Sequence, residues 1–317
     1  MKKTPVLLIT FNRPDYTKQV LAALKMAKVE QLYVFRDGPR PLNNEDKRKA
    51  AEIEVLIKEI DWPCKVITNF MQNNLGCGWG PFSAISWAFQ YTDRLIILED
   101  DCVPSTAFFG FCDYLLEKYK DNRKVRHISG LSPINHAVFE KYDYVFTNYG
   151  ATCGWATWKR VWEDMDLHER LISKFFKNGG YKQGQYAHEY ERKVHNRIYK
   201  LRTPLKEVLH SWDYQYGVHS KMGGAYSIVP SCNLITNIGI EGTHYDNKDN
   251  NLHPNAFINL NASHDFVVSK EPSEIKLNAD YEAKCFQLLH PKYWKATLKS
   301  YLILIKHTLF GRPDFNE

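Results

Sequence analysis

The sequence predicts an α/β protein with an open, mostly parallel central sheet that carries helices on both faces. One observation is that four short apolar runs rich in Val, Ile and Leu occur in the first hundred residues. The other is that these runs alternate with segments whose apolar residues have helical spacing. Wholly apolar runs are typical of parallel strands buried on both faces, and their alternation with helices is typical of βαβ units.

The first two strands flank a helix. Residues 5–11 (PVLLITF) contain no charged residue, as a strand buried on both faces requires. Arg13-Pro14-Asp15 then opens a helix, since proline is well accommodated in a first helical turn. Residues 32–40 (LYVFRDGPR) form a strand that ends in a turn at Asp37-Gly38-Pro39.

The same alternation continues to residue 101. Residues 44–60 form a helix with acidic residues near its start, where the helix dipole favours negative charge. Residues 64–70 (CKVITNF) form the third strand, and Pro81–Tyr91 form a helix with proline near its first position. The fourth strand, 94–101 (RLIILEDD), ends in carboxylates.

The alternation is less regular after residue 102. The pattern there predicts a helix at Ala107–Tyr119, a strand near 126–131, an aromatic strand and loop at 142–158 and strand-like pieces at 225–240. We find no internal repeat and no linker. We therefore predict one mixed α/β domain at 1–265, with halves at 1–105 and 106–265, followed by a C-terminal helical extension at 266–317.

Composition excludes several classes of protein. Of 317 residues, 44% are hydrophobic and 25% are charged, which argues against a disordered or fibrous chain. No apolar stretch is long enough for a spanning helix, and we interpret the first fifteen residues as a strand and not as a signal peptide. Seven cysteines without a CxxC pair indicate reduced thiols in a cytoplasmic protein.

Basic charge is concentrated near the C-terminus. The net charge is +6, of which the segment from Ala283 onward carries +4, so the nearly balanced body argues against a nucleic-acid partner. Lys292–Leu309 is amphipathic if helical, with lysines beside its apolar face. Such a helix can lie on an anionic membrane surface, and we predict this role for 288–310; docking on the protein itself is the alternative.

The fourth strand ends in Glu99-Asp100-Asp101. Three adjacent carboxylates repel one another and need a compensating cation or hydrogen-bond donors. Mn²⁺ or Mg²⁺ suits carboxylate oxygens and takes phosphate oxygens as further ligands. Because ligands of such sheets bind beyond the carboxyl ends of the strands, we predict a metal site here; a solvated acidic turn is the alternative.

Two more segments fall at this predicted edge. Three glycines lie between Asn73 and Pro81, where a backbone free of side chains can approach an anion before a helix; a turn without a ligand is the alternative. After the first strand, Arg13 can face a diphosphate, and Asp37 can accept hydrogen bonds from a ribose or a base or only stabilise its turn. The predicted donor-binding residues are thus Thr10, Asn12, Arg13, Asp37, Asn74, Gly76, Gly80, Glu99 and Asp100.

Together these segments resemble the nucleotide-sugar-binding half of GT-A glycosyltransferases. The order is a TFNRP strand end, a strand ending in Asp, an NNLG segment and an EDD motif in the role of Asp-x-Asp. The chain is most similar to the inverting N-acetylglucosaminyltransferase of N-glycan branching and its bacterial relatives. The resemblance covers residues 5 to about 105 well. The motifs GWATW (154–158), WDYQ (212–215) and NIG…GTH (237–244) extend it to about 245.

The resemblance implies roles for individual residues. Asp101 would bind the metal that bridges the donor diphosphate, Asp100 would bond the ribose or the donor sugar, and Glu99 would support the turn. Asp213 matches the catalytic base, and a carboxylate within about 3 Å of an acceptor hydroxyl can take its proton. An N-cap or a buried structural carboxylate is the alternative for Asp213.

Two further roles follow from the same resemblance. His244 is placed as a second metal ligand, although a solvated loop histidine is the alternative and His253 lies in the same loop. Trp155 is placed near the donor sugar, where an indole can stack on the C–H surface of a sugar; a core position is the alternative.

These expectations define a metal-dependent inverting glycosyltransferase. It would move a sugar from a nucleotide-sugar donor, UDP-linked by preference, to a hydroxyl of a glycan, glycolipid or glycoprotein. A lipid-linked acceptor and a bacterial polysaccharide pathway would suit a cytoplasmic enzyme peripheral to the plasma membrane. A sugar-1-phosphate nucleotidyltransferase is an alternative, although its usual Gly-rich basic loop after the first strand is replaced here by TFNRP. A non-catalytic carbohydrate-binding protein is another, but it would have no use for EDD.

Overall fold

The computed structural model describes residues 3–134, 139, 141–165, 189–193, 212–239 and 260–289. The strands are β1 (Val6–Thr10), β2 (Gln31–Arg36), β3 (Lys65–Phe70), β4 (Arg94–Glu99), β5 (Cys102–Pro104), β6 (Val125–Ser129), β7 (Tyr144–Thr147), β8 (Trp155–Trp158), β9 (Tyr226–Pro230) and β10 (Ile235–Asn237). The helices are α1 (Pro14–Met26), α2 (Asn44–Lys58), α3 (Gly76–Ala88), α4 (Thr106–Lys118), α5 (Lys159–Trp162), α6 (Trp212–Gly223) and α7 (Ala279–Leu289).

Eight of these strands form one sheet in the order β3-β2-β1-β4-β8-β6-β9-β7. The pairs from β3 to β4 are parallel, which confirms the α/β class. β8 runs antiparallel to β4 and β6, and β7 runs antiparallel to β9, so the prediction of a mostly parallel sheet is wrong and the sheet is mixed. The regular βαβ alternation ends near residue 104, and strands joined without a crossover helix are free to run antiparallel.

Helices cover both faces of the sheet. Alternate residues of β1 point to opposite sides: Val6 and Leu8 pack in the cluster that contains α1, α2 and α4, whereas Leu7 and Ile9 pack with α3 and α6. All four side chains are buried. Fully burying a side chain of this size contributes about 1.5–3 kcal/mol, so the central strands are held firmly and their carboxyl ends form a rigid platform.

The chain changes direction across the sheet at β1. The strand order reverses at β1, which pairs with β2 on one side and with β4 on the other. This is the topological switch point at which open α/β sheets bind their ligands. It brings Thr10–Arg13 and Glu99–Asp101 together, as the sequence predicts.

Helix α3 begins at Gly76, five residues before the predicted start at Pro81. The cause is Asp37, whose carboxylate accepts hydrogen bonds from the backbone N–H groups of Leu75 and Gly76 at 2.8 and 3.0 Å. A helix start leaves N–H groups without partners inside the helix, and here a side chain from another strand supplies them. The early start was not visible locally, because the capping residue lies 38 positions away in the chain.

Part of the predicted C-terminal extension belongs to the domain core. Helix α7 packs Tyr281 and Cys285 against Val145 and Val229 of the sheet. Its Glu282 accepts hydrogen bonds from the backbone N–H and the side-chain amide of Asn148, the residue that follows β7. Residues 290–317, with the proposed membrane-binding helix, lie outside the described residues. None of the described helices combines the length and the apolar content needed to cross a membrane.

Lowering the pH is expected to destabilise this fold through His127. Its Nε2 donates to the carbonyl of Ala151 at 3.0 Å, and Nδ1 faces the hydroxyl of Tyr216 at 3.3 Å. Burial, assisted by the charge of Arg126, lowers the pKa of His127 to about 3. The unfolded chain takes up this proton near its usual pKa of about 6.5 and the native chain does not. The contribution of His127 to stability is therefore full above pH 6.5 and falls by up to about 1.4 kcal/mol per pH unit as the pH drops towards 3.

Urea unfolding at pH 7 and pH 5 measures this effect. We expect a loss of roughly 2 kcal/mol from this histidine over that interval. His127→Gln cannot take up the proton, so the variant should show a correspondingly shallower dependence on pH. An equal pH slope in the two proteins would contradict the assignment of a neutral buried imidazole.

Candidate functional site

The three carboxylates at the end of β4 lie at the switch point and are not solvated. The side chain of Asp100 is 9% exposed and that of Asp101 is 19% exposed. Asp100 accepts a hydrogen bond from the backbone N–H of Phe11, the residue after β1, at 3.4 Å. The alternative of a solvated acidic turn is therefore contradicted, and the acidic turn is fixed to the loop that follows the neighbouring strand.

Arg13 supplies part of the compensating charge. Its Nη1 lies 2.8 Å from Oδ2 of Asp101 and 3.3 Å from Oδ1 of Asp100. One guanidinium therefore serves two carboxylates, and a third, Glu99, lies at the end of the same strand. The sequence predicts that Arg13 contacts a diphosphate. No pattern in it indicates that Arg13 also forms ion pairs with the carboxylates of the acidic turn.

The turn keeps an excess of negative potential in spite of Arg13. Burial, together with the charges of Asp101, Asp100 and Asp213, raises the pKa of Glu99 to about 8. Burial likewise raises the pKa of Asp100 to about 7, against the opposing effect of Arg13. Groups held this far from their ordinary values by burial and like charge are typical of sites that bind a cation or carry out proton transfer.

The residues present fit a divalent cation shared with a phosphate ligand. Among the described residues, no group of three or more His, Cys, Asp or Glu side chains is arranged as a preformed metal cage. Mg²⁺ and similar ions do not need such a cage, because one or two carboxylates, waters and substrate phosphates complete the shell. Of the two aspartate side chains, that of Asp101 is the more exposed. Its carboxylate lies against Arg13 and close to the backbone of Gly239. His244 lies outside the described residues.

Asp37 connects the loop that follows β2 to the loop that follows β3. Its carboxylate accepts hydrogen bonds from the backbone N–H of Gly38, Leu75 and Gly76 and from the side-chain amide of Asn74, all within 3.1 Å. With four protein donors the carboxylate has no need of a ligand. The structure therefore favours the alternative in which Asp37 stabilises its turn, and the predicted contact of this carboxylate with a donor is corrected.

The glycines of this region fit the backbone closely. A Cβ on Gly80 would lie 3.2 Å from Oδ2 of Asp37, and Gly76 has a φ of +76°, which favours glycine. Asn74 donates to Asp37 and to the carbonyl of Gly38. These three predicted donor-binding residues thus shape the loop, and any donor contact from it comes through the backbone.

Gly38→Ala is expected to separate the two loops. A Cβ at this position would lie 2.2 Å from the backbone carbon of Asn73, so one backbone must move. Overpacking of this kind costs about 1–3 kcal/mol, and each kcal/mol lowers the Tm of a domain of this size by roughly 2–4 °C. Thermal unfolding measures the loss. Gly110→Ala in α4, where a Cβ meets nothing within 4 Å, is the control and should be neutral or slightly stabilising. Equal Tm values for the two variants would contradict the close approach.

Asp46 organises the loop after β1 and was missed by sequence analysis. Its buried carboxylate accepts from the amide of Asn12 at 2.8 Å and from Nε of Arg40 at 2.6 Å. These hydrogen bonds, chiefly the one from Arg40, lower the pKa of Asp46 to about 2. Thr10 is also used structurally, since its hydroxyl donates to the carbonyl of Phe35. Both predicted donor contacts, Thr10 and Asn12, therefore have protein partners for their side chains.

Asp213 belongs to the second half of the chain, and its charge acts on Glu99 of the acidic turn. It is exposed and lies in the first turn of α6, a helix that packs against α3. Burial raises the pKa of Cys77 in α3, and the charges of Asp213, Glu99 and Asp37 add to this effect. The charges of acidic side chains from three separate segments therefore act on Cys77 near the start of α3, and Asp213 is the exposed one among them.

Trp155 is a core residue. Its side chain is fully buried, with the ring of His127 stacked 5.0 Å away on one side and the ring of Trp212 stacked 5.6 Å away. An indole in this position offers no face to a sugar, so the predicted stacking role is contradicted and the core alternative is correct. The same ring nevertheless supports the site, because Trp212 directly precedes Asp213.

All seven cysteines lie within the described residues, and none of them forms a disulfide there. Two of them lie beside the acidic turn. The Sγ atoms of Cys102 and Cys153 are 2.8 Å apart, and Cys102 contacts Asp101 at 3.3 Å. No sequence motif predicts that Cys102 and Cys153 lie together, because the two positions are 51 apart in the chain.

Comparisons with known proteins do not assign a family. No protein-family model matches the chain, and no curated protein matches it. A structure of UDP-glucose pyrophosphorylase complexed with UDP-glucose aligns with a TM-score of 0.26 at 10% identity over 51% of this chain and 71% of its own. The apo form of the glycosyltransferase GlyE from Streptococcus pneumoniae TIGR4 also gives 0.26, at 12% identity over 73% of this chain and about half, 54%, of its own. Such TM-scores establish no common fold, and the functional argument therefore comes from the site itself.

Proposed function

We propose that the protein is a metal-dependent glycosyltransferase that takes its sugar from a nucleotide-sugar donor, UDP-linked by preference. One observation carries the proposal. Three carboxylates are held at the topological switch point of an α/β sheet with a single guanidinium between them. A divalent cation shared with a diphosphate would balance their charge, and a nucleotide diphosphate fits a crevice of this kind.

The chain's own residues have distinct tasks in this proposal. Asp101 would hold the cation, and Asp100 would bond the ribose or the donor sugar. Arg13, which already lies between them, would turn towards the diphosphate oxygens that a planar guanidinium recognises well. When bound, the cation supplies stabilisation of the negative charge that develops on the departing nucleoside diphosphate.

Asp213 is proposed as the base that accepts the proton of the acceptor hydroxyl. Its support is its position, since it is exposed on α6 and its charge acts on Glu99 at the end of β4. A base that works on the face of the sugar opposite the leaving group implies inversion at the anomeric carbon. Nuclear magnetic resonance of the product anomer tests this stereochemistry.

Calorimetry with UDP, in the presence and absence of Mn²⁺, tests the donor half of the proposal. We expect UDP to bind with Mn²⁺ and to bind much more weakly without it. A donor-hydrolysis screen over common UDP-, GDP- and CMP-sugars with Mn²⁺ then identifies the sugar and the base. Binding of UDP that is indifferent to the metal would contradict the proposed role of the acidic turn.

The same assays separate the two alternatives. Release of a nucleoside triphosphate from a nucleotide sugar and pyrophosphate would indicate a sugar-1-phosphate nucleotidyltransferase. Binding of free sugars with no binding of nucleotide would indicate a carbohydrate-binding protein. Either result would overturn the transferase proposal.

A further inference from the structure

A second cavity, of about 340 Å³, lies on the sheet face that carries α6 and α7. It is bordered by α6, by α7 and by the segment that leads from β7 to β8. Small-ligand sites begin at about 300 Å³, so the cavity is large enough for a small molecule. None of the roles proposed above uses it.

The cavity is connected to the candidate base through α6. Asp213, Tyr216, Gly217 and Ser220 are spaced at i, i+3, i+4 and i+7, so they lie along one stripe of the helix. The last three border the cavity. Since an α-helix rises 1.5 Å per residue, the cavity starts roughly 5 Å along the axis from Asp213.

The cavity walls are uncharged except for one carboxylate. Among the described residues that line it, Glu191 is the only charged side chain, so no lysine or arginine there offers a partner to a phosphate. Glu191 is buried and accepts a hydrogen bond from the hydroxyl of Tyr149 at 2.6 Å. Burial and the charge of Glu191 raise the pKa of Tyr149, which therefore keeps its proton.

These groups suit a neutral, hydroxyl-rich ligand. A carboxylate accepts hydrogen bonds at several lone pairs, so Glu191 can take sugar hydroxyls in addition to Tyr149. Tyr149 is half-buried and contributes an aromatic wall for the apolar C–H face of a sugar ring, and the half-buried Ser220 adds a hydroxyl group.

We propose that this cavity holds a neutral sugar residue of the acceptor and presents its hydroxyl towards Asp213. The inference rests on the proposed transferase function. It adds that the acceptor is recognised here through an uncharged saccharide, since the described residues that line the cavity include no lysine or arginine.

Gly217 provides a sharp test, because a Cβ there meets nothing within 4 Å and the residue borders the cavity. Gly217→Leu should fill the cavity without straining the helix. Gly110→Leu is the matched control: Gly110 is also helical and open, but it lies on α4, on the opposite face of the sheet. Saturation-transfer NMR would use methyl glycosides of glucose, galactose, N-acetylglucosamine and rhamnose as probes, with glucose 1-phosphate as the anionic comparison.

We expect at least one methyl glycoside to bind the wild type and Gly110→Leu, and to bind Gly217→Leu at least tenfold more weakly. Glu191→Gln should weaken the same glycoside by at least tenfold while its Tm stays close to that of the wild type. Absence of glycoside binding, preference for glucose 1-phosphate, or undiminished binding to Gly217→Leu would each overturn the inference.

Calorimetry with UDP and Mn²⁺ on the same samples separates this inference from the proposed function. Glycoside binding without metal-dependent UDP binding would support a saccharide site and overturn the transferase. Metal-dependent UDP binding without glycoside binding would support the transferase and overturn the saccharide site.

Discussion

Asp101→Ala is expected to abolish the Mn²⁺-dependent binding of UDP. The substitution removes the carboxylate proposed to hold the cation, and it also releases Arg13, which lies 2.8 Å from that group. The interaction of unit charges near 4 Å is worth about 4 kcal/mol at an effective dielectric constant of 20, which corresponds to roughly a thousandfold loss of affinity. Calorimetric titration of UDP in the presence of Mn²⁺ measures this loss directly.

Asp93→Ala is the matched control for this experiment. Asp93 is exposed and precedes the same strand at its opposite end, so its removal should leave UDP affinity unchanged. Asp101→Ala should not unfold the protein, because the change relieves repulsion among Glu99, Asp100 and Asp101. Retention of metal-dependent UDP binding in a folded Asp101→Ala protein would remove the metal from the proposal.

Asp213→Asn is expected to stop transfer while leaving donor binding intact. An amide has nearly the shape of a carboxylate but cannot accept the proton of an acceptor hydroxyl. General base catalysis contributes typically 10²–10⁴-fold, so kcat should fall by at least about a hundredfold. The affinity for UDP and Mn²⁺ should stay within about twofold of the wild type, since Asp213 is not assigned to the donor. Steady-state kinetics and calorimetry together measure the two quantities.

Asp280→Asn controls for the loss of a helix-terminal charge. Asp280 is exposed and lies in the first turn of α7, as Asp213 does in α6. A first-turn carboxylate stabilises its helix by about 0.3–1 kcal/mol, so both variants should lose a similar small amount of stability. Full transfer activity in Asp213→Asn would show that the base is another residue.

The sequence predicted the parallel half of the sheet because its signals are local. Apolar runs such as residues 5–11 and 95–98 are typical of strands buried in an α/β sheet, and their alternation with helices fixes the connections. The antiparallel insertion of β8 between β4 and β6 depends on pairing between distant segments, such as Ile97 with Trp155. No periodicity within the GWATW motif encodes that partner.

The site was predictable only in outline. The rule that strand ends share one edge brought Arg13 and Asp101 together, although it did not show that they form an ion pair. Asp37 and Trp155 were given ligand roles because their residue types suit a sugar or a ribose. Whether a polar or aromatic side chain faces a ligand or the protein depends on its three-dimensional neighbours, and the neighbours of both residues lie far away in sequence.

The acidic turn is enclosed by segments from both ends of the domain. On one side the N–H of Phe11 reaches Asp100, and on the other the N–H of Ile238 donates to the carbonyl of Asp101 at 2.9 Å, next to the pairing of β5 with β10. The contact between Asp101 and Ile238 closes a long stretch of chain, which is entropically costly and slows folding. The turn therefore reaches its final form only after the chain has been synthesised beyond Ile238. Incomplete chains emerging from the ribosome consequently lack the assembled acidic turn.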